Sequence, residues 1–198
     1  TPPIEDMQFL LHEVLKVTES DVPGYDELDR DSTAAILEEA GKLASEVLAP
    51  LNAVGDREGC RLENGVVITP TGFKAAYDQM AAGGWMGLDC DPEYGGQGMP
   101  YVMNSATGEM FVAANMAFNM YQGLTHGAYS AIHTHGSAEQ KQTWLPGLYA
   151  MEYTGCFALT EPEHGSDVAG GMATTARREG DEWVINGAKR WIGNGTMS

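Results

Sequence analysis

The sequence predicts an α+β protein: an N-terminal all-α bundle followed by the beginning of an antiparallel β-domain. Three observations predict it. Apolar residues recur at helical spacing from Ile4 to Leu145, interrupted by Pro and Gly where helices end. Beyond Tyr149 the pattern changes to short strand-like runs. Helices come first and strands second, without alternation, which argues for two modules, residues 1–150 and 151–198.

Each element has a local reason. Pro2 and Pro3 open a first helix, whose residues Ile4, Met7, Leu10, Leu11, Val14 and Leu15 fall on one face up to about Val17. The acidic segment 19–31, with Pro23-Gly24, reads as a loop. Asp31 or Ser32 is positioned to cap a second helix, with Leu37, Ala40, Leu43, Ala44, Val47 and Leu48 facing inward and Pro50 just past its end. Residues 50–70 read as a loop with a tight turn at Glu63-Asn64-Gly65. A third helix runs from about Thr71 to Ala82 and stops at Gly83-Gly84. After a glycine-rich loop, 85–98, two helices are expected at Tyr101–Met116 and Met120–His133. Ser137-Ala-Glu-Gln140 is a capping box that opens another through Leu145. Strands are expected at about 153–161, 171–178, 181–186 and 188–193, with Asn186-Gly187 as a two-residue hairpin turn.

Composition limits the partners. In 198 residues, 11 Lys and Arg face 28 Asp and Glu, a formal charge of −17, so nucleic acid and anionic membranes are repelled. A phosphate-bearing ligand must then be held by local features such as backbone amides at turns. Cys60, Cys90 and Cys156 are odd in number and lack framework spacing, which implies reduced thiols and a cytoplasmic location. The start, Thr1-Pro-Pro-Ile-Glu-Asp, does not read as a signal peptide, and no apolar run reaches the length of a membrane span.

Two stretches carry chemistry. In Cys156-Phe-Ala-Leu-Thr-Glu-Pro-Glu-His-Gly-Ser-Asp167 an apolar run breaks at Pro162 into a turn. Gly165 there has no Cβ, so a ligand can approach the backbone closely. Amides and the hydroxyls of Thr160 and Ser166 suit a flat polar ring and a phosphate. The second stretch is Gly180-Asp-Glu-Trp-Val-Ile-Asn-Gly-Ala-Lys-Arg-Trp-Ile-Gly-Asn-Gly195. A metal site is not expected: His133 and His135 do not share a helix face, and no Cys or carboxylate is seen to complete a set with them or His126.

The pair of stretches resembles the acyl-CoA dehydrogenase family, in its Leu-Thr-Glu-Pro-x-x-Gly-Ser-Asp and Asn-Gly-x-Lys-x-Trp-Ile-(Thr/Ser)-Asn segments. Asp91-Pro-Glu-Tyr-Gly-Gly96 is similar to a further segment of its first helical domain. Residues 1–148 look most like long bacterial members of the 3-methylmercaptopropionyl-CoA dehydrogenase group, and 152–198 like glutaryl-type and plant-oxidase-like members.

The resemblance implies FAD as cofactor and an acyl-CoA thioester as substrate, oxidised between Cα and Cβ. It also implies a role in fatty acid metabolism, electron-transfer flavoprotein or oxygen as acceptor, and a homodimer or homotetramer for the full-length protein. By matched position Phe157, Leu159, Thr160, Gly165 and Ser166 line FAD, with Trp191, Ile192 and Gly193 beside the flavin. Ser166 also contacts the acyl-CoA, and Asn119, Gly123 and Gly127 line the acyl pocket. Two glycines there either leave room for a bulky tail or allow close helix packing. Ala113 and Ala114 stand where dicarboxylate-binding members carry an arginine. No catalytic residue is assigned in this chain, because the family's glutamate base comes from a later helical domain. On that basis 151–198 is a truncated β-domain. Gly193 replaces the usual Thr or Ser, which keeps an acyl-CoA oxidase open as an alternative, beside a non-catalytic binding or assembly fragment.

Overall fold

A computed structural model describes residues 1–165, 167 and 169–195. Its order is mainly helical through Tyr149, then irregular chain with one antiparallel hairpin, so the α+β expectation holds. Among the described residues no helix is long and apolar enough to cross a membrane.

The first helix, α1 (Ile4–Phe9), runs on into a wider π-type turn, Leu10–Val14, closed by Leu15 N–H donating to the Leu10 carbonyl at 2.8 Å. That extra residue per turn rotates the apolar stripe out of register. Met7 and Leu11 are buried, whereas Leu10, Val14 and Leu15 are exposed.

Helix α2 (Arg30–Lys42) starts two residues earlier than expected, capped by Asp29, whose carboxylate accepts from Ser32 N and Ser32 Oγ, both at 2.8 Å. Pro50 does not end it. A π-type stretch, Leu43–Leu48, leads directly into α3 (Ala49–Glu58), and Pro50 sits in the first turn of α3, where its missing N–H matters least. The widened turn absorbs the clash that stops an ordinary helix before proline. The expected loop then shrinks to a hairpin, β1 (Arg61–Glu63) with β2 (Val66–Ile68). Its turn is the predicted Asn64-Gly65, with φ values of 52° and 82°. Helix α4 (Phe73–Ala82) follows.

Helix α5 (Tyr101–His135) is one run broken at Asn115, where φ is −159° and ψ 87°. The break falls before the expected gap at 117–119. Asn115 is buried and replaces the interrupted helix bonds: its Oδ1 accepts from Phe118 N–H at 3.0 Å, and its Nδ2 donates to the Leu48 carbonyl at 3.2 Å. The two halves fold back on one another. Were α5 straight, Tyr101 and His126 would stand about 37 Å apart; instead both wall a single cleft.

Helix α6 (Ala138–Tyr149) has the predicted capping box, with Gln140 N–H donating to Ser137 Oγ at 3.2 Å and Ser137 N–H to Gln140 Oε1 at 2.8 Å. It continues past Leu145 through Pro146. α5 packs against α2, α3 and α6. Leu37, Leu48, Met80, Met103, Phe111, Phe118 and Leu145 are essentially fully buried in the resulting core. Each such side chain contributes about 1.5–3 kcal/mol of transfer free energy.

After Tyr149 only one hairpin is regular: β3 (Thr175–Glu179) antiparallel to β4 (Glu182–Asn186). Its turn is Gly180-Asp181, with Gly180 at φ 64°, not Asn186-Gly187. Gly187 lies against Thr174 instead; a Cβ there would sit 2.2 Å from Thr174 Oγ1. Segments 153–161 and 188–193, expected as strands, form no β-ladder: Leu159 N–H turns back to the Phe157 carbonyl at 3.0 Å, Trp191 has φ 58°, and the two segments are joined by Arg190 N–H to the Thr160 carbonyl at 2.9 Å.

Candidate functional site

The two chemistry-bearing stretches meet at a buried ion pair. Lys189 Nζ donates to Glu161 Oε1 at 2.8 Å and to the Leu159 carbonyl at 3.0 Å. Glu161 is buried and also accepts from Ala173 N–H at 2.7 Å and Thr174 N–H at 3.0 Å. One carboxylate thus ties the Leu159-Thr160-Glu161 segment to the start of the β-hairpin and to the segment that carries Trp191. The Lys189 ammonium, with the Ala173 and Thr174 amides adding to it, lowers the Glu161 pKa from 4.5 to about 2.

A depressed carboxylate pKa means that this clamp contributes fully above the ordinary value of 4.5 and is lost as pH falls from there through about 2. The amide resonances of Ala173 and Thr174 should therefore titrate with a midpoint near 2. A midpoint at 4.5 would show that the carboxylate is free in solution. Glu161→Gln should remove this transition and leave the two amides weakly held at every pH.

A second set of bonds lays both stretches on the later half of α5. Gly155 N–H donates to Thr125 Oγ1 at 3.1 Å. The buried Asn194 donates from Nδ2 to the Tyr121 carbonyl at 3.1 Å and the Gly155 carbonyl at 3.0 Å. Gly193 abuts the same helix: a Cβ there would lie 2.8 Å from Leu124 Cδ1. No open space is left beside Gly193 on that side.

This arrangement fits a planar cofactor. Phe157 and Trp191 are 66% and 78% exposed, so Trp191 is not a core tryptophan. Arg190 lies over the Trp191 ring at 4.5 Å. Leu159 and Thr160 are half-buried between them. Among the described residues the N–H groups of Phe157, Ala158 and Thr160 carry no hydrogen bond. Three free amides next to two exposed rings form an edge that a flat, hydrogen-bonding ring can use. Ile192 is half-buried, and Gly165 is exposed with nothing within 4 Å of its Cβ position. Ser166 lies outside the described residues.

Asn119 and Gly123 wall a cleft of about 280 Å³ between the halves of α5, with Asn104, Ser105, Gly108 and Gln122. Gly127 does not wall it. Nothing lies within 4 Å of a Cβ at Gly123 or Gly127, so these glycines leave space and do not serve close helix packing. A larger cleft of about 440 Å³, near Phe73, Tyr77 and Thr154, holds none of the predicted site residues.

The histidines behave differently from expectation. A carboxylate and a cysteine do reach His126: the ligand atoms of Asp89, Cys90 and His126 lie within 4.8 Å of one another. All three already have partners. His126 Nε2 meets both Asp89 oxygens at 2.9 and 3.1 Å, and Cys90 Sγ is 3.6 Å from the Met86 carbonyl. Burial pushes the Cys90 thiol up to about 12. His133 Nε2 pairs with Asp91 at 2.9 Å, and Asp91 N–H donates to Tyr129 Oη at 3.0 Å. The His133 hydrogen bond holds the Asp91 carboxyl below its ordinary range. These contacts fasten the glycine-rich loop to the later half of α5, which positions the cleft wall. Sequence reasoning missed Glu161, Lys189, Asn194 and the two Asp–His pairs. Nothing in their local sequence marks them, because each acts through partners distant along the chain.

With this geometry in place, comparison gives the class. The acyl-CoA dehydrogenase N-terminal domain model matches residues 30–152, and the middle-domain model matches 156–198. The chain belongs to the acyl-CoA dehydrogenase family, whose members are FAD-dependent. It is 37% identical over 191 residues to 3-methylmercaptopropionyl-CoA dehydrogenase of Ruegeria pomeroyi, covering 96% of this chain and 32% of that protein. The glutaryl-CoA dehydrogenase structure from Mycobacterium smegmatis superposes with a TM-score of 0.71 at 30% identity, over 88% of this chain and 42% of that one. A glutaryl-CoA dehydrogenase from the same organism in complex with FADH2 gives 0.68 at 29% identity, over 87% and 42%. The chain thus spans about a third of the length of the curated relatives it matches.

Proposed function

We propose that this chain provides the flavin-facing edge and one wall of the acyl cleft in an FAD-dependent acyl-CoA dehydrogenase that oxidises a thioester between Cα and Cβ. One observation carries the reading: Glu161–Lys189 and Asn194 bring the two motifs together and dock them on the α5 half that bears Asn119 and Gly123. Phe157, Ala158 and Thr160 offer amides to the ring edge, Trp191 packs against its face, and Gly165 leaves room for the pyrophosphate. Bound FAD supplies the acceptor for the hydride leaving Cβ. Glu161 is not the base that takes the α-proton, because its carboxylate is buried and held near pKa 2 by three donors. Asp89, engaged by His126, is no better placed. The base therefore comes from outside this site, and electrons pass on to electron-transfer flavoprotein or oxygen.

The full-length protein should purify yellow and be bleached by an acyl-CoA under anaerobic conditions. A colourless protein that folds, binds acyl-CoA and takes up no added FAD would overturn the reading in favour of a binding or assembly module.

A further inference from the structure

Asp89, Cys90 and His126 bring three metal-binding side chains to one point. A carboxylate oxygen, a thiol sulfur and an imidazole nitrogen all lie within 4.8 Å of one another. In a tetrahedral zinc site, bonds of about 2.0–2.3 Å hold the ligand atoms about 3.3–3.8 Å apart. The three atoms therefore need to close by about 1 Å at most. The backbone that carries Asp89 and Cys90 is fixed: Cys90 N–H donates to the Gly87 carbonyl at 3.2 Å, and the Cys90 carbonyl accepts from Gly98 N–H at 2.9 Å. His126 comes from the later half of α5. It meets the two Asp89 oxygens through Nε2, at 2.9 and 3.1 Å, and faces Ser130 Oγ through Nδ1 at 3.5 Å. A ligating imidazole is oriented in this way through its other ring nitrogen. A path for an ion is present as well. The Asp89 and His126 side chains are 10% and 22% exposed, and both wall a cavity of about 210 Å³ with Tyr129 and Ser130.

We propose that Asp89, Cys90 and His126 form a Zn2+ site that ties the glycine-rich loop to α5. The site stands whatever reaction the protein catalyses. A mixed oxygen, nitrogen and sulfur set selects zinc over Mg2+ and Ca2+, which take oxygen ligands. With the thiol ionised, its charge and that of Asp89 balance the ion. The fourth position takes a water from the cavity. The contacts that these groups make with one another are ones that the ion replaces. The Asp89–His126 contact becomes two bonds to zinc, and Cys90 Sγ gives up only its 3.6 Å contact with the Met86 carbonyl. As the S–Zn bond forms, the thiol proton passes to solvent, the imidazole proton sits on Nδ1, and zinc keeps its oxidation state. The second tie between these elements, His133 with Asp91 at 2.9 Å, is left in place.

The test uses the full-length protein, stripped with a chelator and then loaded with Zn2+ in excess Mg2+, which occupies exposed carboxylates. One zinc per chain should remain after gel filtration. Its X-ray absorption should show one sulfur at about 2.3 Å beside nitrogen and oxygen at about 2.0–2.2 Å. Cys90→Ser and His126→Gln should each weaken zinc binding by at least about a hundredfold, because even an outer partner of a ligand is worth about 10–100-fold. Cys60→Ser and Cys156→Ser should bind zinc as the parent does. If a site variant does not fold, the sulfur signal of the parent and of the Cys60 and Cys156 variants decides. No zinc retained, zinc without a sulfur neighbour, zinc that stays in a folded Cys90→Ser protein, or a sulfur signal lost with Cys60→Ser or Cys156→Ser would overturn the proposal.

Discussion

Gly165→Val, made in the full-length protein, is expected to lose its bound FAD without losing its fold. Nothing lies within 4 Å of the Cβ position at Gly165, and the residue is exposed, so the protein itself has room for the valine. What the side chain would fill is the space through which a pyrophosphate approaches the backbone on the proposed reading. Two branched methyl groups there push the ligand out by more than a hydrogen bond can stretch. A loss of roughly a hundredfold in FAD affinity, ~2.7 kcal/mol, is expected, with an unchanged melting temperature for the apoprotein. Flavin absorbance after gel filtration and circular dichroism check the two halves of this. Stoichiometric FAD in a folded Gly165→Val protein would show that the turn does not face the cofactor.

Features that rest on neighbours in sequence were legible there. The Ser137–Gln140 capping box and the Asn64-Gly65 turn depend on residues three and one apart, and both formed as read. Pro50 misled because its effect depends on the turn before it, and a π-type stretch absorbed the proline. Asn186-Gly187 is the stronger hairpin signal locally. Pairing of Thr175–Glu179 with Glu182–Asn186 nonetheless put the turn at Gly180-Asp181, and Gly187 was used for close packing on Thr174. The clamp was hidden because Glu161 gathers donors 12, 13 and 28 residues away. The cleft was half legible. Asn119 and Gly123 came from resemblance, but that they share a cleft with Asn104 and Gly108 depends on the break in α5 at Asn115.

The docking of the two motif segments on α5 should be sensitive to a single methyl group. At Gly155 a Cβ would lie 2.5 Å from Ala128 Cβ, 3.0 Å from Thr125 Cα and 3.1 Å from the Leu124 carbonyl oxygen. None of these atoms can swing aside, because two belong to the helix backbone and the third is fixed to it. Gly155→Ala must therefore lift the segment away from α5. Lifting it stretches the Gly155 N–H bond to Thr125 Oγ1 and the Asn194 bond to the Gly155 carbonyl together. Overpacking of this kind costs about 1–3 kcal/mol, and the lost hydrogen bonds add about 1 kcal/mol each. In a chain of this size a 1 kcal/mol loss lowers the melting temperature by about 2–4 °C, so a drop of roughly 6–20 °C is expected. Thr125→Val removes the hydroxyl that accepts from Gly155 N–H and donates to the Tyr121 carbonyl at 3.0 Å, and should cost about 1–2 kcal/mol. Because both changes break the same contact, the double variant should be less destabilised than the sum of the two. Thermal unfolding of the four proteins measures this coupling directly. Strict additivity, or a Gly155→Ala protein as stable as the parent, would mean that the segment is not seated on α5 as described. The proposed flavin-facing edge would then lack the support that holds Phe157, Thr160 and Trp191 in place.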